Sequence, residues 1–301
     1  GEPLHDAPVP LIIASKFRVA RRLGSGGMGV VYRAQDVTLN RPVAIKTLPR
    51  LSDDAVRRLK REARALATLY HPHLEGIFGV ESWRGIPMLV LEYLPRGTLA
   101  TRLQQGPLEV ADVIAIGVAM ADALHSLHRA GVLHRDVKPS NIGFTEENVP
   151  KLLDFGLAIL PAPAAQALSD HVTDVAETPT RTYAALPLVA DPTSGKWAGT
   201  PIYMSPEAFA GEPADVGFDL WGLAVTLFEA VAGRNPFVSR DRFETARLIT
   251  TGTLPELRSL RPECPEALDR FLQESLSANR RFRPADARIF GARLRAIEKP
   301  A

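Results

Sequence analysis

The sequence concentrates reactive side chains in residues 134–141, His-Arg-Asp-Val-Lys-Pro-Ser-Asn, and in Asp154-Phe155-Gly156 shortly after them. Both stretches have the character of loops, so a rigid scaffold has to hold their two acids, one lysine and one amide together. One carboxylate can orient an attacking hydroxyl, the other carboxylate and the amide can bind magnesium, and the lysine can offset phosphate charge. Transfer of a phosphoryl group to a hydroxyl requires this set of side chains.

A glycine-rich stretch lies between two predicted strands near the start of the chain. Residues 17–20 precede Gly24-Ser25-Gly26-Gly27-Met28-Gly29, and the β-branched pair Val30-Val31 follows. Glycines let backbone amides approach phosphate oxygens without a Cβ in the way. Dinucleotide-binding folds place a helix after similar glycines, whereas a strand follows here, so the pattern favours a glycine loop between two strands.

Two charged residues fall at positions that are otherwise apolar. Val43-Ala44-Ile45-Lys46 alternates as a strand, which places Ala44 and Lys46 on one face. The next predicted helix, over about residues 53–70, has acids in its first turn and Glu62 near its apolar face. A lysine on a half-buried strand needs an acidic partner. The alternative for Glu62 is an ordinary solvated position.

Together these motifs resemble the protein kinase superfamily, and within it the bacterial Hanks-type serine/threonine kinases. The resemblance covers nearly the whole chain and includes Ser205-Pro206-Glu207. It implies an α+β fold with two lobes, a small antiparallel β-rich N-lobe with one key helix and a larger, mainly helical C-lobe. The expected domains are a leader over 1–15, the N-lobe over 16–92 and the C-lobe over 93–301, with ATP and magnesium between the lobes.

The resemblance also implies a nucleotide site. Lys46 is expected to pair with Glu62 and to contact the α- and β-phosphates beneath the glycine loop. Leu91 is expected at the back of the adenine pocket, with backbone groups of Glu92 and Leu94 toward adenine. The expected cofactor-binding residues are Gly24, Ser25, Gly26, Gly27, Met28, Gly29, Val31, Ala44, Lys46, Leu91, Glu92, Leu94, Thr98 and Gly143. The expected cofactors are ATP and Mg²⁺, with Mn²⁺ as an alternative.

Roles in the catalytic loop, residues 134–141, follow from the same resemblance. Asp136 is expected to be the base or the group that orients the hydroxyl, and Lys138 to contact the γ-phosphate. Asn141 and Asp154 are the expected magnesium ligands. The sequence Lys138-Pro139-Ser140 follows the serine/threonine form of this loop.

Other residues are expected to support this loop. In the family pattern Thr200 bonds to Asp136 and Lys138, Glu207 forms a buried pair with Arg283, and Asp219 braces the loop. The residues expected to have structural or regulatory roles are His134, Arg135, Phe155, Thr200, Glu207, Asp219 and Arg283.

Gly143 departs from the family pattern. It stands two residues after Asn141, where the family usually has a leucine that forms the floor of the adenine pocket. A missing isobutyl group removes contact area worth about 1–3 kcal/mol unless another side chain fills the space. The expectation is either weaker ATP binding than in a typical relative or a neighbouring side chain in that position.

The activation segment, residues 154–207, is longer than the family usually has because of an Ala- and Pro-rich insertion over about 160–198. Its composition is that of a tolerated flexible insertion. The alternative is regulation, since phosphate on the segment could order it against Arg135. The candidate phosphoacceptors are Ser169, Thr173, Thr178, Thr180, Thr182, Thr193 and Ser194.

Composition limits the class and the compartment. The 301 residues are 46% hydrophobic and 23% charged, as in ordinary globular chains, and the net charge of +2 favours neither a nucleic-acid platform nor a membrane-binding surface. The single cysteine, Cys264, favours a reducing cytoplasm, and no apolar run approaches a membrane span. The chain starts without methionine, so it can be the cytoplasmic domain of a longer, membrane-anchored protein.

The implied function is transfer of the γ-phosphoryl group of ATP to Ser/Thr hydroxyls of proteins in bacterial signal transduction. Expected partners are protein substrates, ATP and a second copy of the chain, as a homodimer for autophosphorylation of the activation segment, with no nucleic acid. A pseudokinase, favoured by Gly143 and the insertion, is opposed by the intact acids. A small-molecule kinase is opposed by Lys138 and by Ser205-Pro206-Glu207.

Overall fold

The structure is a computed structural model that describes residues 12–26, 29–49, 51–154 and 201–298. Gly27, Met28, Phe155, Thr200, the insertion and every candidate phosphoacceptor lie outside the described residues. The described residues fall into two compact units. The first unit holds residues 12–26, 29–49, 51–70 and 74–95, and the second unit holds residues 71–73, 96–154 and 201–298.

The first unit is an antiparallel five-stranded sheet with one long helix. The strands are β1 (Phe17–Gly26), β2 (Gly29–Asp36), β3 (Arg41–Thr47), β4 (Ile77–Trp83) and β5 (Ile86–Glu92), and the helix is α1 (Asp53–Ala67). The strand order across the sheet is β1-β2-β3-β5-β4. Short turns suffice between most neighbours because antiparallel strands need no crossover.

Strand β3 is buried on both faces. Val43 and Ile45 belong to a cluster with residues of β1 and β2, whereas Ala44 belongs to a second cluster with Leu59 and Ala63 of α1. Successive side chains of a strand point to opposite faces, so β3 joins the two clusters. The clusters separate these residues as the sequence alternation predicts.

Helix α1 ends three residues earlier than the sequence predicts. The last helical residue is Ala67. Beyond it, the Leu69 amide donates to the Leu66 carbonyl, and the Tyr70 amide donates to the Thr68 carbonyl. These are tight turns rather than helical bonds. Leu59 and Ala63, one turn apart, are the buried positions that fix the helix on the sheet.

The second unit is mainly helical. Its helices are α2 (Leu99–Leu103), α3 (Val110–Arg129), α4 (Pro206–Phe209), α5 (Val216–Ala232), α6 (Arg242–Thr251), α7 (Leu257–Leu260), α8 (Glu266–Ser275) and α9 (Ala287–Glu298). Two short antiparallel strands, β6 (Ile142–Phe144) and β7 (Pro150–Leu152), follow a 3₁₀ turn at Pro139–Asn141. The two units together have the α+β division that the sequence predicts.

Helix α5 is the core of the second unit. It is buried almost all round, and it packs against α3, α8 and α9. The helix starts at Val216 because the Asp215 side chain caps it by accepting from the Gly217 amide at 2.8 Å. Gly233, at φ 72°, ends it.

The expectation that no apolar run approaches a membrane span is wrong for helix α3. Alone among the described residues, α3 is long and apolar enough to cross a membrane, with a mean hydropathy of 1.6 over an 18-residue window. More than half of that window is buried inside the protein, and α3 packs against α5 and α9. A core helix of a folded domain passes the same test of length and composition, so packing accounts for its apolar character.

Gly222 of α5 lies directly against the catalytic loop. A Cβ at this position would lie 2.7 Å from the carbonyl oxygen of Val137, which is backbone and has no rotamer to change. We therefore expect Gly222→Ala to destabilise the fold by about 1–3 kcal/mol, as overpacking does, and to lower activity by shifting the loop. Urea unfolding and kinetics on the same samples measure both effects.

The control is Gly79→Ala in β4, where an added Cβ meets no atom of the described residues within 4 Å. That substitution is expected to change stability little. Equal effects of the two substitutions would show that Gly222 is not a close-approach position.

Candidate active site

The carboxylate of Asp219 holds the start of the catalytic loop. Asp219 lies in the first turn of α5 and is 1% exposed. Its Oδ2 accepts a hydrogen bond from the His134 amide at 2.9 Å, and its Oδ1 accepts one from the Arg135 amide at 2.6 Å. The loop backbone is thereby fixed where it turns, with Arg135 at φ 66°, a left-handed conformation that needs such support.

His128 is a third donor to the same carboxylate, and sequence reasoning missed it. Its Nε2 lies 2.8 Å from Asp219 Oδ2, and its side chain is almost fully buried. The available signal was a histidine in the last turn of a largely apolar helix, shortly before the catalytic loop. The C-terminal end of a helix favours a positively charged or hydrogen-donating side chain, and a buried polar side chain needs a hydrogen-bond partner. A nearby acid was therefore to be expected.

His134 connects the catalytic loop to the residues before Asp154. Its Nδ1 accepts from the Asp136 amide at 3.3 Å, and its Nε2 lies 2.7 Å from the carbonyl oxygen of Leu153. A ring nitrogen that accepts carries no proton, so the hydrogen bonds assign a neutral ring that donates from Nε2. His134 is completely buried.

Asp136 is held by the two other polar residues of its loop. Lys138 Nζ lies 2.7 Å from Asp136 Oδ2, and Asn141 Nδ2 lies 2.9 Å from the same oxygen and 2.8 Å from the Asp136 carbonyl. The Asp136 and Lys138 side chains keep 29% and 22% exposure, so a substrate hydroxyl can reach them. Both bonds from Nδ2 orient the amide of Asn141 and leave Oδ1 as its acceptor atom.

Asp154 follows β7 and lies next to Asn141. The Leu153 amide donates to the Asn141 carbonyl at 2.8 Å, which joins the two chain segments one residue before Asp154. Asp154 has φ 64°, a left-handed value that is uncommon for any residue other than glycine. Strained backbone of this kind is concentrated at functional sites.

The donor set of this loop suits magnesium. Among the described residues no group of three or more His, Cys, Asp or Glu side chains could hold a metal on its own. Magnesium in phosphotransferases binds one or two carboxylates and completes its six ligands with phosphate and water. The oriented Oδ1 of Asn141 and the neighbouring Asp154 carboxylate fit that requirement.

The first unit presents the predicted nucleotide residues on one face of its sheet. Val31 pairs with Lys46 across β2 and β3, and Ala44 pairs with Leu91 across β3 and β5. Paired residues share a face, and so do Ala44 and Lys46 two positions apart. All four side chains therefore lie on the face that α1 covers.

Gly29 shows why the loop between β1 and β2 needs glycine. The two strands pair down to Gly26 and Gly29, and Gly29 has φ 132°. A Cβ there would lie 1.9 Å from the carbonyl oxygen of Thr47. Only glycine can occupy this position. Gly24, by contrast, has open space beside it in the described part of the chain.

Lys46 and Glu62 lie on the same side of the sheet. Lys46 is 5% exposed on β3, and Glu62 is half-buried on α1, one residue before Ala63 of the shared cluster. A buried ammonium group requires hydrogen-bonding or charged partners. Their mutual pairing stays a prediction.

The remaining nucleotide residues have local roles. The Glu92 amide donates to the Gly76 carbonyl at 2.8 Å, and Leu94 is half-buried. Thr98 caps α2 by accepting from the Thr101 amide at 3.3 Å. Gly143 is buried in β6 and bridges to Thr98. The predicted effect of Gly143 on ATP binding stays a prediction.

Glu207 and Arg283 form a buried ion pair. Arg283 Nη1 lies 2.9 Å from Glu207 Oε2, and each side chain is 7% exposed. Burial alone would raise the pKa of Glu207, but hydrogen bonds from Arg283, from its own amide and from Ser205 hold that pKa below its ordinary value. Arg283 also stacks over the Trp221 ring of α5, 4.7 Å from its centroid.

Comparison with known proteins decides the family. The protein kinase domain family matches residues 17–291. The chain belongs to the protein kinase family. The crystal structure of the PknI kinase domain of Mycobacterium tuberculosis matches with a TM-score of 0.66 at 26% identity, covering 96% of this chain and 98% of that one. The predicted two-lobed kinase fold is confirmed.

Curated relatives give the class of kinase. Serine/threonine-protein kinase pkn3 of Myxococcus xanthus is 34% identical over 99% of this chain and 52% of its own length. PknL of Mycobacterium tuberculosis is 31% identical over 98% of this chain and 68% of its own length. These relatives are named bacterial serine/threonine-protein kinases, and the part that this chain matches in them is similar over almost its whole length. The chain spans about half the length of pkn3 and about a quarter of PknK from Mycobacterium tuberculosis.

The Glu207–Arg283 pair predicts a pH dependence of kinase stability. Because the folded pKa of Glu207 is lowered, its contribution is present above the ordinary value of 4.5 and is lost as pH falls below it. At neutral pH we expect Glu207→Gln to cost about 3–5 kcal/mol, since the buried Arg283 loses its carboxylate and keeps only the carbonyl oxygens of Ser277 and Ala278. Below pH 4.5 the difference from wild type should shrink, as urea unfolding across pH would measure.

The matched control is Glu244→Gln, whose carboxylate pairs with Arg247 on the exposed face of α6. That substitution is expected to change stability little at any pH. A Glu207→Gln effect that stays constant from neutral to acid pH would contradict the assigned ionisation.

Proposed function

We propose that this domain phosphorylates serine and threonine hydroxyls of proteins through the constellation of Asp136, Lys138, Asn141 and Asp154. The observation that carries the proposal is the Asp136 carboxylate, which is held by Lys138 and Asn141 yet remains partly exposed. A carboxylate fixed in this way can hold a hydroxyl in line and accept its proton.

Each residue then has a stated role. Asp136 orients the acceptor hydroxyl, and Lys138, now paired with Asp136, turns to the γ-phosphate when a nucleotide is present. Asn141 and Asp154 are the magnesium ligands. Magnesium supplies positive charge that offsets the charge on the transferring phosphoryl group. Manganese, which accepts the same oxygen ligands, is the alternative ion.

The nucleotide-holding residues belong to the first unit. Its glycine loop covers the phosphates, Lys46 contacts them and Glu62 orients Lys46. The shared sheet face of Val31, Ala44, Lys46 and Leu91 supports this assignment. The predicted lobes, 16–92 and 93–301, are part of the same proposal.

The wider function is also proposed. The protein acts on protein substrates and phosphorylates its own activation segment, for which two copies would have to meet. We also propose that the domain lies in the cytoplasm as part of a longer protein. Relatives such as PknK, which are much longer than this chain, support the second part of this proposal. The serines and threonines of the activation segment that the sequence analysis names are its candidate acceptors.

Asp136→Asn tests the proposed base. Loss of the carboxylate should lower phosphate transfer to a generic protein substrate about 10²–10⁴-fold, because the hydroxyl loses its positioning and proton acceptor. ATP binding should be retained, since Asp136 is assigned to the acceptor and not to the nucleotide. Transfer is followed with labelled ATP, and binding by titration, each with magnesium, with manganese and with EDTA.

Asp122→Asn is the control, because Asp122 pairs with Arg295 on the surface of the same unit. It should leave the rate unchanged. ATP binding by the wild type without transfer to itself or to any substrate would instead identify a pseudokinase.

A further inference from the structure

Three residues between α1 and β4 are held by the second unit. The chain before and after 71–73 belongs to the first unit, whereas these three residues belong to the second. The carbonyl oxygen of His73 accepts from the Leu152 amide at 2.8 Å, and His73 Nδ1 lies 2.9 Å from the carbonyl oxygen of Pro150. Both partners belong to β7, so the backbone and the ring of His73 together hold this loop on the strand.

The ring of His71 accepts a hydrogen bond within the same loop. The His73 amide donates to His71 Nδ1 at 3.2 Å. A backbone N–H can only donate, so this Nδ1 carries no proton, and the His71 ring is neutral with its proton on Nε2. By the same reasoning His73 Nδ1 carries a proton, because the carbonyl oxygen that it faces can only accept. One ring of the pair therefore accepts and the other donates.

Protonation of His71 would act against this arrangement. A proton on Nδ1 would face the hydrogen of the His73 amide, so the bond between them would be lost. A charged His71 would also lie beside the His73 ring, since the ring centroids are 5.6 Å apart. Burial of the ring lowers the pKa of His71 most, and His73 and Lys151 of β7 lower it further.

Asp122 of α3 is the charge that favours protonation of His71. It raises the pKa of that ring, but less than burial and His73 lower it. The Asp122 carboxylate also pairs with Arg295 of α9, which offsets part of its charge. The charged groups on the loop, α3, β7 and α9 therefore leave the neutral ring of His71 favoured at neutral pH.

Strand β7 connects this loop to the catalytic residues. Leu153, which follows β7, donates through its amide to the Asn141 carbonyl at 2.8 Å. Its own carbonyl oxygen lies 2.7 Å from His134 Nε2, and the next residue is Asp154. A loop that leaves β7 would therefore remove support from the strand that places Asp154.

We propose that His71 and His73 form a proton-sensitive latch, which holds loop 71–73 on β7 while His71 is neutral and releases the loop when His71 takes up a proton. Release follows because the His73 amide loses its acceptor, and His73 carries both contacts to β7. The latch goes beyond the transfer reaction and gives it a regulation by pH. Only its effect on activity rests on the proposed function, since release of the loop does not require catalysis.

The pH range follows from the direction of the pKa shift. The folded pKa of His71 is lowered below 6.5, so the stability that the neutral ring contributes is present above 6.5 and is lost as the pH falls through the folded value. An NMR titration of the His71 ring should give a midpoint below 6.5. Asp122→Asn should move that midpoint lower still, because it removes the charge that favours protonation.

Amide hydrogen exchange at single residues tests the release. Protection factors, which remove the intrinsic effect of pH on exchange, are compared at about pH 7.5 and about pH 5. In wild type the factors at the His73 and Leu152 amides should fall about fivefold in acid, the effect of one lost hydrogen bond. Amides in the core of α5 should keep their protection, which separates release of the loop from global unfolding.

His71→Asn is the matched variant. The asparagine side-chain oxygen can accept from the amide two residues later, as in an Asx-turn, but it does not titrate. Protection at the His73 and Leu152 amides should therefore stay the same at both pH values. His125→Gln replaces another half-buried histidine of the second unit and should keep the fall seen in wild type.

Three results would overturn the latch. These are unchanged protection in wild type, an equal fall in His71→Asn, and an equal fall at the α5 amides. Kinetics on the same samples test the regulation, since kcat of wild type should fall more steeply in acid than kcat of His71→Asn. Exchange as expected, with no transfer to any substrate at either pH, would overturn the proposed function and leave the latch in place.

Discussion

The buried carboxylate of Asp219 is the interaction on which the active site depends. Three donors reach it, the His128 ring and the amides of His134 and Arg135. A charge buried without such partners would be too costly to keep, so the loop amides and the acid stabilise one another. The bonds also hold Arg135 in its left-handed conformation, and the chain that follows places Asp136 beside Lys138 and Asn141.

Helix α5 connects the catalytic loop to the core of the second unit. The same helix carries Asp219, the close approach of Gly222 to Val137, and Trp221, on which Arg283 stacks. Because α5 is apolar and buried on nearly every side, it cannot move without disturbing the core. The catalytic loop is thus held against a helix that is buried on nearly every side.

Sequence could predict the residues whose chemistry is specific to one arrangement. The acids, lysine and amide of the catalytic loop have a spacing that is typical of phosphoryl transfer and of little else, and the apolar alternation of β3 predicts which face Lys46 takes. Helix ends were harder to predict from the sequence. Helix α5 begins where the Asp215 side chain can cap it, and α1 ends in tight turns, which the spacing of apolar residues does not indicate.

Residues that act through tertiary contacts escaped prediction. His128 is far from Asp219 in sequence, so only the folded chain brings the ring to the carboxylate. Sequence reports the types of side chain present, whereas neutralisation and burial depend on which neighbours the fold supplies.

The most direct test of this account is amide hydrogen exchange at His134 and Arg135, measured together with kcat, in wild type and Asp219→Asn. The amide group of asparagine offers one oxygen where aspartate offers two, so at least one loop amide loses its acceptor. We predict faster exchange at these two positions and a lower kcat, with ATP affinity unchanged. Unchanged exchange, or faster exchange with full activity, would contradict the claim that Asp219 organises the catalytic loop.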